Sequence, residues 1–160
     1  MERLKTLLLE HLGKLNVKNN NQLSDYECSN IDSTTSGWTH LDKNNIAYID
    51  SAATATLLQL LATATRADIQ EAPRRFNIPN GATMTTSETI DLALDRLPPA
   101  ARRAYRMPGI RHNLLSVATL CDAGCSVSFN KHGVDVECNG EVVLRGWRNA
   151  SNKLWAVPLT

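Results

Sequence analysis

The stretch that determines the fold class runs from residue 125 to residue 144 and has the sequence CSVSFNKHGVDVECNGEVVL. Apolar and polar residues alternate with period two over 125–129 and again over 134–138, which is typical of half-buried β-strands. Asn139 and Gly140 favour a tight turn into a third strand over 141–144. Residues 153–157, KLWAV, are a further strand candidate. The pattern predicts a mainly β domain.

One short helix is expected immediately before these strands. Residues 113–124, NLLSVATLCDAG, place apolar side chains at positions 114, 117, 118 and 121, and Gly124 follows as a stop signal. This spacing predicts a helix near 114–123.

The region from Ile46 to residue 112 gives weaker signals. An apolar run, IAYI, ends on Asp50, and the alanine-rich and threonine-rich segment after it is compatible with either helix or strand. Asn80 and Gly81 predict a hairpin between the β-prone segments 75–78 and 82–86. The prolines at 98 and 99 break structure, and 100–105 could form one or two helical turns.

The N-terminal part has a different texture. Residues 1–15 carry leucines at 4, 8, 12 and 15, the spacing of a short amphipathic helix. Residues 16–45 are polar and without period, which predicts a disordered linker. We therefore expect a folded domain over 46–160.

Composition excludes several classes of function. The 160 residues carry 17 Lys and Arg against 16 Asp and Glu, so bulk positive charge is not expected to hold nucleic acid, and nucleic-acid binding is not predicted. No apolar run approaches the roughly 18 residues of a membrane span. The N-terminus is a poor secretory signal, so an intracellular, reducing location is expected, with the four cysteines as thiols.

Two clusters outside the strands have competing interpretations. Cysteines 121, 125 and 138 with His132 form C-x3-C-x6-H-x5-C, whose gaps are longer than those of a zinc knuckle, so packing cysteines are favoured and no metal is predicted. The arginines at 102, 103, 106 and 111 favour a solvated basic face over contact with RNA or an acidic polyprotein segment.

Asp50 is the main candidate for chemistry. It ends an apolar strand and is followed by small residues, Ser51, Ala52, Ala53 and Thr54, which let the backbone turn sharply and leave the carboxylate reachable. A strand-end aspartate also commonly caps the next turn, so the local pattern leaves both roles open.

Four ordered elements make residues 38–160 similar to a known family. Asp50, Ser51 and Ala52 after IAYI resemble the active-site loop of retropepsin-type aspartic proteases. Residues 111–129, RHNLLSVATLCDAGCSVSF, resemble the region downstream of that loop in copia-type retrotransposon polyproteins. The closing pattern over 136–158 and the hairpin segment 78–84 match as well.

The resemblance implies a retropepsin-like acid-protease subunit that processes a retrotransposon polyprotein without a cofactor. One chain supplies one catalytic aspartate, Asp50, so a homodimer acting on a polypeptide substrate is implied. Residues 51–54 form the active-site loop, a flap lies between 74 and 95, and Leu114, Leu115 and Ser116 pack behind the loop. The implied location is the cytoplasm or virus-like particles within it, and the chain is expected to be a fragment of a longer polyprotein.

One departure raises an alternative function. The third loop residue of the family is Gly, and here it is Ala52, which is strained if its φ is positive. The family's usual His or Ser two residues after the loop is Thr56. The alternative is a catalytically dead relic that serves only as a dimerising or peptide-binding module. A zinc-binding or RNA-binding fragment is a third and weaker interpretation.

Overall fold

The computed structural model describes residues 43–62, 65–77 and 81–160, and within them the chain is mainly β. The predicted N-terminal helix over 1–15 lies outside the described residues, as does the predicted linker up to residue 42. Lys43–Asn45 form a single 3₁₀ turn that leads into the first strand. The described part of the chain contains no helix long and apolar enough to cross a membrane.

Ten strands pair into a single sheet in the described residues. In chain order they are β1 (Ile46–Asp50), β2 (Thr56–Leu58), β3 (Thr65–Asn77), β4 (Thr83–Leu92), β5 (Arg103–Arg106), β6 (Asn113–Ser116), β7 (Cys125–Phe129), β8 (Gly133–Cys138), β9 (Glu141–Arg148) and β10 (Trp155–Pro158). The spatial order is β3-β4-β5-β2-β6-β1-β10-β9-β8-β7. The strand that carries Asp50 is therefore central.

The middle of the sheet contains its long-range pairings. β1 lies between β6, to which it is parallel, and β10, to which it is antiparallel. β2 is parallel to β5 and touches β6 through the antiparallel pair Leu57 and Leu114. More than 60 residues separate β1 from β6 along the chain. This is ample for the crossover connection that a pair of parallel strands requires.

A single helix, α1 (Val117–Asp122), is present among the described residues, and it is shorter than the apolar spacing predicts. Residues 113–116 form β6 instead of the first helical turn, because their backbone pairs with β1. The Ser116 side chain then accepts a hydrogen bond from the backbone N–H of Thr119 and caps the helix. Gly124, with φ +85°, follows the helix end, as predicted.

The strands predicted over 125–144 are confirmed. β7, β8 and β9 pair as an antiparallel meander, and Asn139 and Gly140 both have positive φ at the β8–β9 turn. The hairpin expected around Gly81 is confirmed by the antiparallel pairing of β3 with β4.

The segments left open in the sequence are extended in the structure. Within the described part of 51–77, the regular elements are β2 and β3. The helical turns expected over 100–105 are reduced to the 3₁₀ turn Pro99–Ala101, because Ala104 and Tyr105 are buried in strand β5 against β4.

The buried apolar side chains form one core cluster, which includes residues from strands along most of the sheet. Its members are buried apolar side chains from β1, β2, β4 to β9, α1 and the C-terminal segment. The largest of them that are fully buried are Leu58, Ile90, Leu92, Leu115, Leu120, Leu159, Val134, Val136 and Val157.

The cysteine prediction is wrong for two of the four residues. Cys125 and Cys138 are directly opposite each other on β7 and β8 and form a disulfide, with their Cα atoms 4.4 Å apart. Cys121, at the exposed side of α1, is a free thiol. Two sulfurs joined in a disulfide cannot ligate zinc as thiolates, which removes the chemistry of the C-x3-C-x6-H-x5-C pattern.

Removing the disulfide should destabilise the domain. The bond closes a loop with a sequence separation of 13 residues, which corresponds to about 3 kcal/mol of chain-entropy stabilisation. We expect the Cys125→Ala, Cys138→Ala double variant to unfold at lower denaturant concentration than the wild type, and Cys121→Ala to unfold like the wild type. Alkylation of Cys125 and Cys138 in denatured but unreduced protein would contradict the pairing.

Candidate functional site

Asp50 ends β1 at the centre of the sheet, and the residues after it form a short surface loop. Asp50 is 5% exposed, and its Oδ1 atom accepts a hydrogen bond of 2.8 Å from the backbone N–H of Ala52. Ser51, Ala52 and Thr54 are exposed, and Ala53 is half-buried. The small residues that follow Asp50 therefore place the loop at the surface while the carboxylate stays at its base.

The predicted residues behind the loop do lie next to it. β6 runs parallel to β1 with Leu114 opposite Tyr48, Leu115 opposite Ile49 and Ser116 opposite Asp50. Leu115 is fully buried in the core, and Leu114 is half-buried. The structure thus brings together the two segments that sequence analysis selected, although more than 60 residues separate them.

Ser116 ties the loop to the sheet. Its Oγ atom donates a hydrogen bond of 2.6 Å to the carbonyl oxygen of Ala53 and accepts one of 3.1 Å from the backbone N–H of Thr119. Its own N–H donates to Oγ1 of Thr56, at 3.2 Å. Ser116 and Thr56 are fully buried, so these bonds are shielded from water. The loop from Asp50 to Thr56 is held at both its middle and its end.

Thr56 thus has a structural explanation that sequence analysis missed. It was noted only as a departure from the family pattern, but its hydroxyl satisfies a buried backbone N–H on β6. Buried polar groups are nearly always hydrogen-bonded. A threonine at the start of a short buried strand therefore indicates that its hydroxyl has a partner inside the fold.

Asn113 is the second residue that sequence analysis missed. It is fully buried at the start of β6, and its Nδ2 donates to the carbonyl oxygens of Asn44 at 3.0 Å and Ile46 at 2.9 Å. Its Oδ1 accepts from the backbone N–H of Gln59 at 2.8 Å. One side chain therefore links β6, the entry to β1 and the end of β2 below the loop.

Ala52 adopts a backbone conformation that alanine tolerates. Among the described residues other than glycine, only Asn139 and Lys153 have positive φ. The left-handed strain considered for an alanine at position 52 is therefore absent, and the loop forms with the residue that the sequence has there.

The β3–β4 hairpin lies beyond β5 and β2 from the loop. Near its tip, the Phe76 ring packs on Tyr105 of β5 with centroids 5.1 Å apart, and the Arg74 guanidinium lies 5.4 Å from the same ring. The predicted flap region, 74–95, includes the last residues of β3 and all of β4. Residues 78–80, where the hairpin turns, lie outside the described part.

The described residues contain no group of three or more His, Cys, Asp or Glu side chains able to hold a metal ion. Comparison of the chain with protein-family models, with curated proteins and with solved structures finds no match. The site itself offers one buried carboxylate at the base of a loop of small residues.

Replacing Ser116 with alanine should loosen this loop. The change leaves the Ala53 carbonyl and the Thr119 N–H without their shared partner and removes the cap of α1, which together cost about 2 kcal/mol. Urea unfolding should show a lower midpoint with an unchanged slope. Ser126→Ala, an exposed serine on β7, is the matched control, and equal midpoints for the two variants would contradict the role of Ser116.

Proposed function

We propose that the chain is an aspartic endopeptidase subunit of a copia-type retrotransposon polyprotein, active as a homodimer through Asp50. The observation that carries the proposal is the position of Asp50. It ends a central strand, directly opposite Ser116 of the parallel strand β6, at the base of a surface loop that Ser116 holds by a hydrogen bond. These are two of the four segments that carry the family resemblance.

The chemistry requires two copies of the chain. A single Asp50 offers one carboxylate, whereas hydrolysis of a peptide bond needs a base for the attacking water and an acid for the carbonyl oxygen. A twofold axis through the exposed loop would bring two Asp50 side chains together. Two neighbouring carboxylates repel each other when both are ionised, so the pair shares one proton.

The proposed reaction then follows from that shared proton. The ionised Asp50 takes a proton from water as the water oxygen bonds to the peptide carbonyl carbon. The protonated Asp50 of the other copy donates to the developing oxyanion. When the C–N bond breaks, the first Asp50 gives the proton it took from water to the leaving amine. The hydroxyl formed from the carbonyl oxygen returns its proton to the Asp50 of the other copy as the C=O bond re-forms, so the pair again holds one proton.

The β3–β4 hairpin is the candidate for the flap. It is a long antiparallel pair, and near its tip Phe76 and Arg74 both contact the Tyr105 ring of β5. A hairpin of this kind can close over an extended peptide and exclude water from the reacting groups.

Ala52 decides between the proposed enzyme and the alternative, an inactive relic. Because Ala52 is exposed and has no left-handed strain, its methyl group does not prevent the loop from forming. What distinguishes the two functions is whether that methyl group obstructs the substrate backbone. Substitution at position 52 tests this.

The test is a peptide-cleavage assay on the wild type and Ala52→Gly in parallel. Each protein is incubated at mildly acidic pH with a peptide mixture of diverse sequence, and products are identified by mass spectrometry. We expect both proteins to cleave, with activity per chain rising with protein concentration as dimers form.

Two outcomes would contradict the proposal. If only Ala52→Gly cleaves, the natural chain is the inactive relic and the alternative function holds. If neither protein cleaves at concentrations where sedimentation shows a dimer, the chain is not a peptidase.

A further inference from the structure

The two turns at one end of the C-terminal meander lie against each other. The Nε1 atom of Trp155 donates a hydrogen bond of 2.8 Å to the carbonyl oxygen of Asn130, in the β7–β8 turn. The backbone N–H of Arg148, at the end of β9, donates to the carbonyl oxygen of His132 at 2.8 Å. Strands that are not neighbours in the sheet, β7 and β10, therefore meet at this end.

The contact creates an aromatic surface with a cation on it. The rings of Phe129 and Trp155 meet edge to face with centroids 5.2 Å apart. The Arg148 guanidinium lies 4.8 Å from the Trp155 ring centroid, and its Nε atom donates to the carbonyl oxygen of Lys153 at 3.1 Å. Phe129 is 42% exposed. The tryptophan ring is thus fixed on three sides, and the phenylalanine ring remains open to solvent.

Positive charge surrounds these rings. Lys131, His132 and Lys153 are exposed on the two turns, and Arg148 is half-buried between them. We call the set Phe129, Lys131, His132, Arg148, Lys153 and Trp155 the turn-end patch. No ion pair between these cations and a carboxylate is found within the described ranges of the chain.

Negative charge on the meander lies elsewhere. Glu141 lies directly opposite Cys138 beside the β8–β9 turn, at the other end of the strands, and Glu137 is one residue before it. Asp135, the acidic residue of β8 nearest the patch in sequence, already pairs with Arg145 through bonds of 2.7 and 3.3 Å. The net charge of +1 for the whole chain therefore conceals a separation of charge between the two ends of the meander.

We propose that the turn-end patch binds single-stranded nucleic acid. The cations match a chain of phosphates, and an open aromatic ring beside them offers a surface on which an unpaired base can stack. The carboxylates of an acidic polypeptide would pair with the cations but would not stack on the exposed ring. In a duplex, the faces of the bases are stacked on each other and cannot reach the ring. The proposal does not depend on peptidase activity.

The binding experiment uses the full chain and fluorescein-labelled 12-nucleotide single strands of mixed sequence, one of DNA and one of RNA. Fluorescence anisotropy is measured from low to moderate salt. With about three cations on phosphates, the logarithm of the affinity should fall against the logarithm of salt concentration with a slope of about −2. Comparison of the two strands shows whether the patch prefers RNA.

Two variants separate the roles of charge and ring. Lys131→Gln with Lys153→Gln should weaken binding roughly tenfold or more at low salt and flatten the salt slope. Phe129→Ala should weaken binding roughly tenfold with the slope unchanged, because stacking releases no counterions. Lys43→Gln with Arg96→Gln, exposed cations outside the patch, removes the same charge and should leave binding as in the wild type.

Several results would overturn the proposal. Equal losses for the two double variants would show nonspecific attraction to the whole surface. A poly-glutamate peptide that competes as well as the single strand would identify an acidic polypeptide as the partner, and equally tight duplex binding would remove the role of stacking. Wild-type affinity for Phe129→Ala, or no binding by the wild type at low salt, would also overturn it. Thermal melts of each variant check that the fold is retained.

Discussion

Replacing Asp50 with asparagine should abolish peptide cleavage, with kcat/KM falling on the order of a thousandfold or more. In the proposed dimer the change removes both the base that activates water and the acid that protonates the oxyanion. Asparagine does neither, because its amide group is too weak an acid and too weak a base to take part in proton transfer. The measurement is product formation at several protein concentrations, so that a loss of dimer is not mistaken for a loss of chemistry.

The fold should survive the Asp50→Asn change. Asparagine has the same shape and keeps an Oδ1 atom that can accept the hydrogen bond from the Ala52 N–H. Relief of repulsion between two buried carboxylates should leave the dimer at least as stable as in the wild type. Asp122→Asn, an exposed aspartate at the end of α1, is the control and should retain full activity. A purified Asp50→Asn protein that still cleaves peptide would remove Asp50 from the mechanism.

The parts of the fold that the sequence predicts are those in which neighbouring residues determine the structure. The alternation over 125–138 and the positive φ required at Asn139 and Gly140 depend on a few adjacent residues, and both are present. The same holds for Asp50, since a strand-end carboxylate followed by small residues is a local pattern.

The parts that the sequence does not predict depend on contacts between distant residues. The spacing of Leu114 and Val117 fits a helix. Residues 113–116 form a strand instead because their backbone pairs with β1, which lies more than 60 residues earlier in the chain. The disulfide between Cys125 and Cys138 likewise depends on the register of β7 on β8, which no spacing rule supplies. The expectation of free thiols depended on an intracellular, reducing location and not on the distance between the cysteines in the fold.

The polar residues behind the loop show the same limit. Sequence analysis placed Ser116 behind the loop through the family resemblance, but nothing local distinguishes the asparagine at 113 from any surface asparagine. Its importance arises because three backbone segments converge on one buried side chain. The position of the candidate catalytic loop therefore rests on a residue that has no chemical role in the proposed reaction.

Asn113→Ala should strongly destabilise the domain. It removes three hydrogen bonds made by one fully buried side chain, with the Gln59 N–H and with the carbonyl oxygens of Asn44 and Ile46. At about 1 kcal/mol for each lost hydrogen bond, the loss is about 3 kcal/mol. Thermal unfolding should move down by roughly 10 °C or more for a domain of this size.

Two further variants, Asn152→Ala and Asn113→Asp, test the reason for this loss. Asn152 also uses its side chain for hydrogen bonds, to Tyr48 and Leu154, but it is exposed, so water replaces its partners and Asn152→Ala should cost little. Asn113→Asp keeps the acceptor for Gln59 but turns an oxygen toward two carbonyls, so it should be at least as damaging as alanine. If Asn113→Asp were as stable as the wild type, the two donated bonds would not be what holds β1 to β6, and the support for the Asp50 loop would have to come from Ser116 and Thr56 alone.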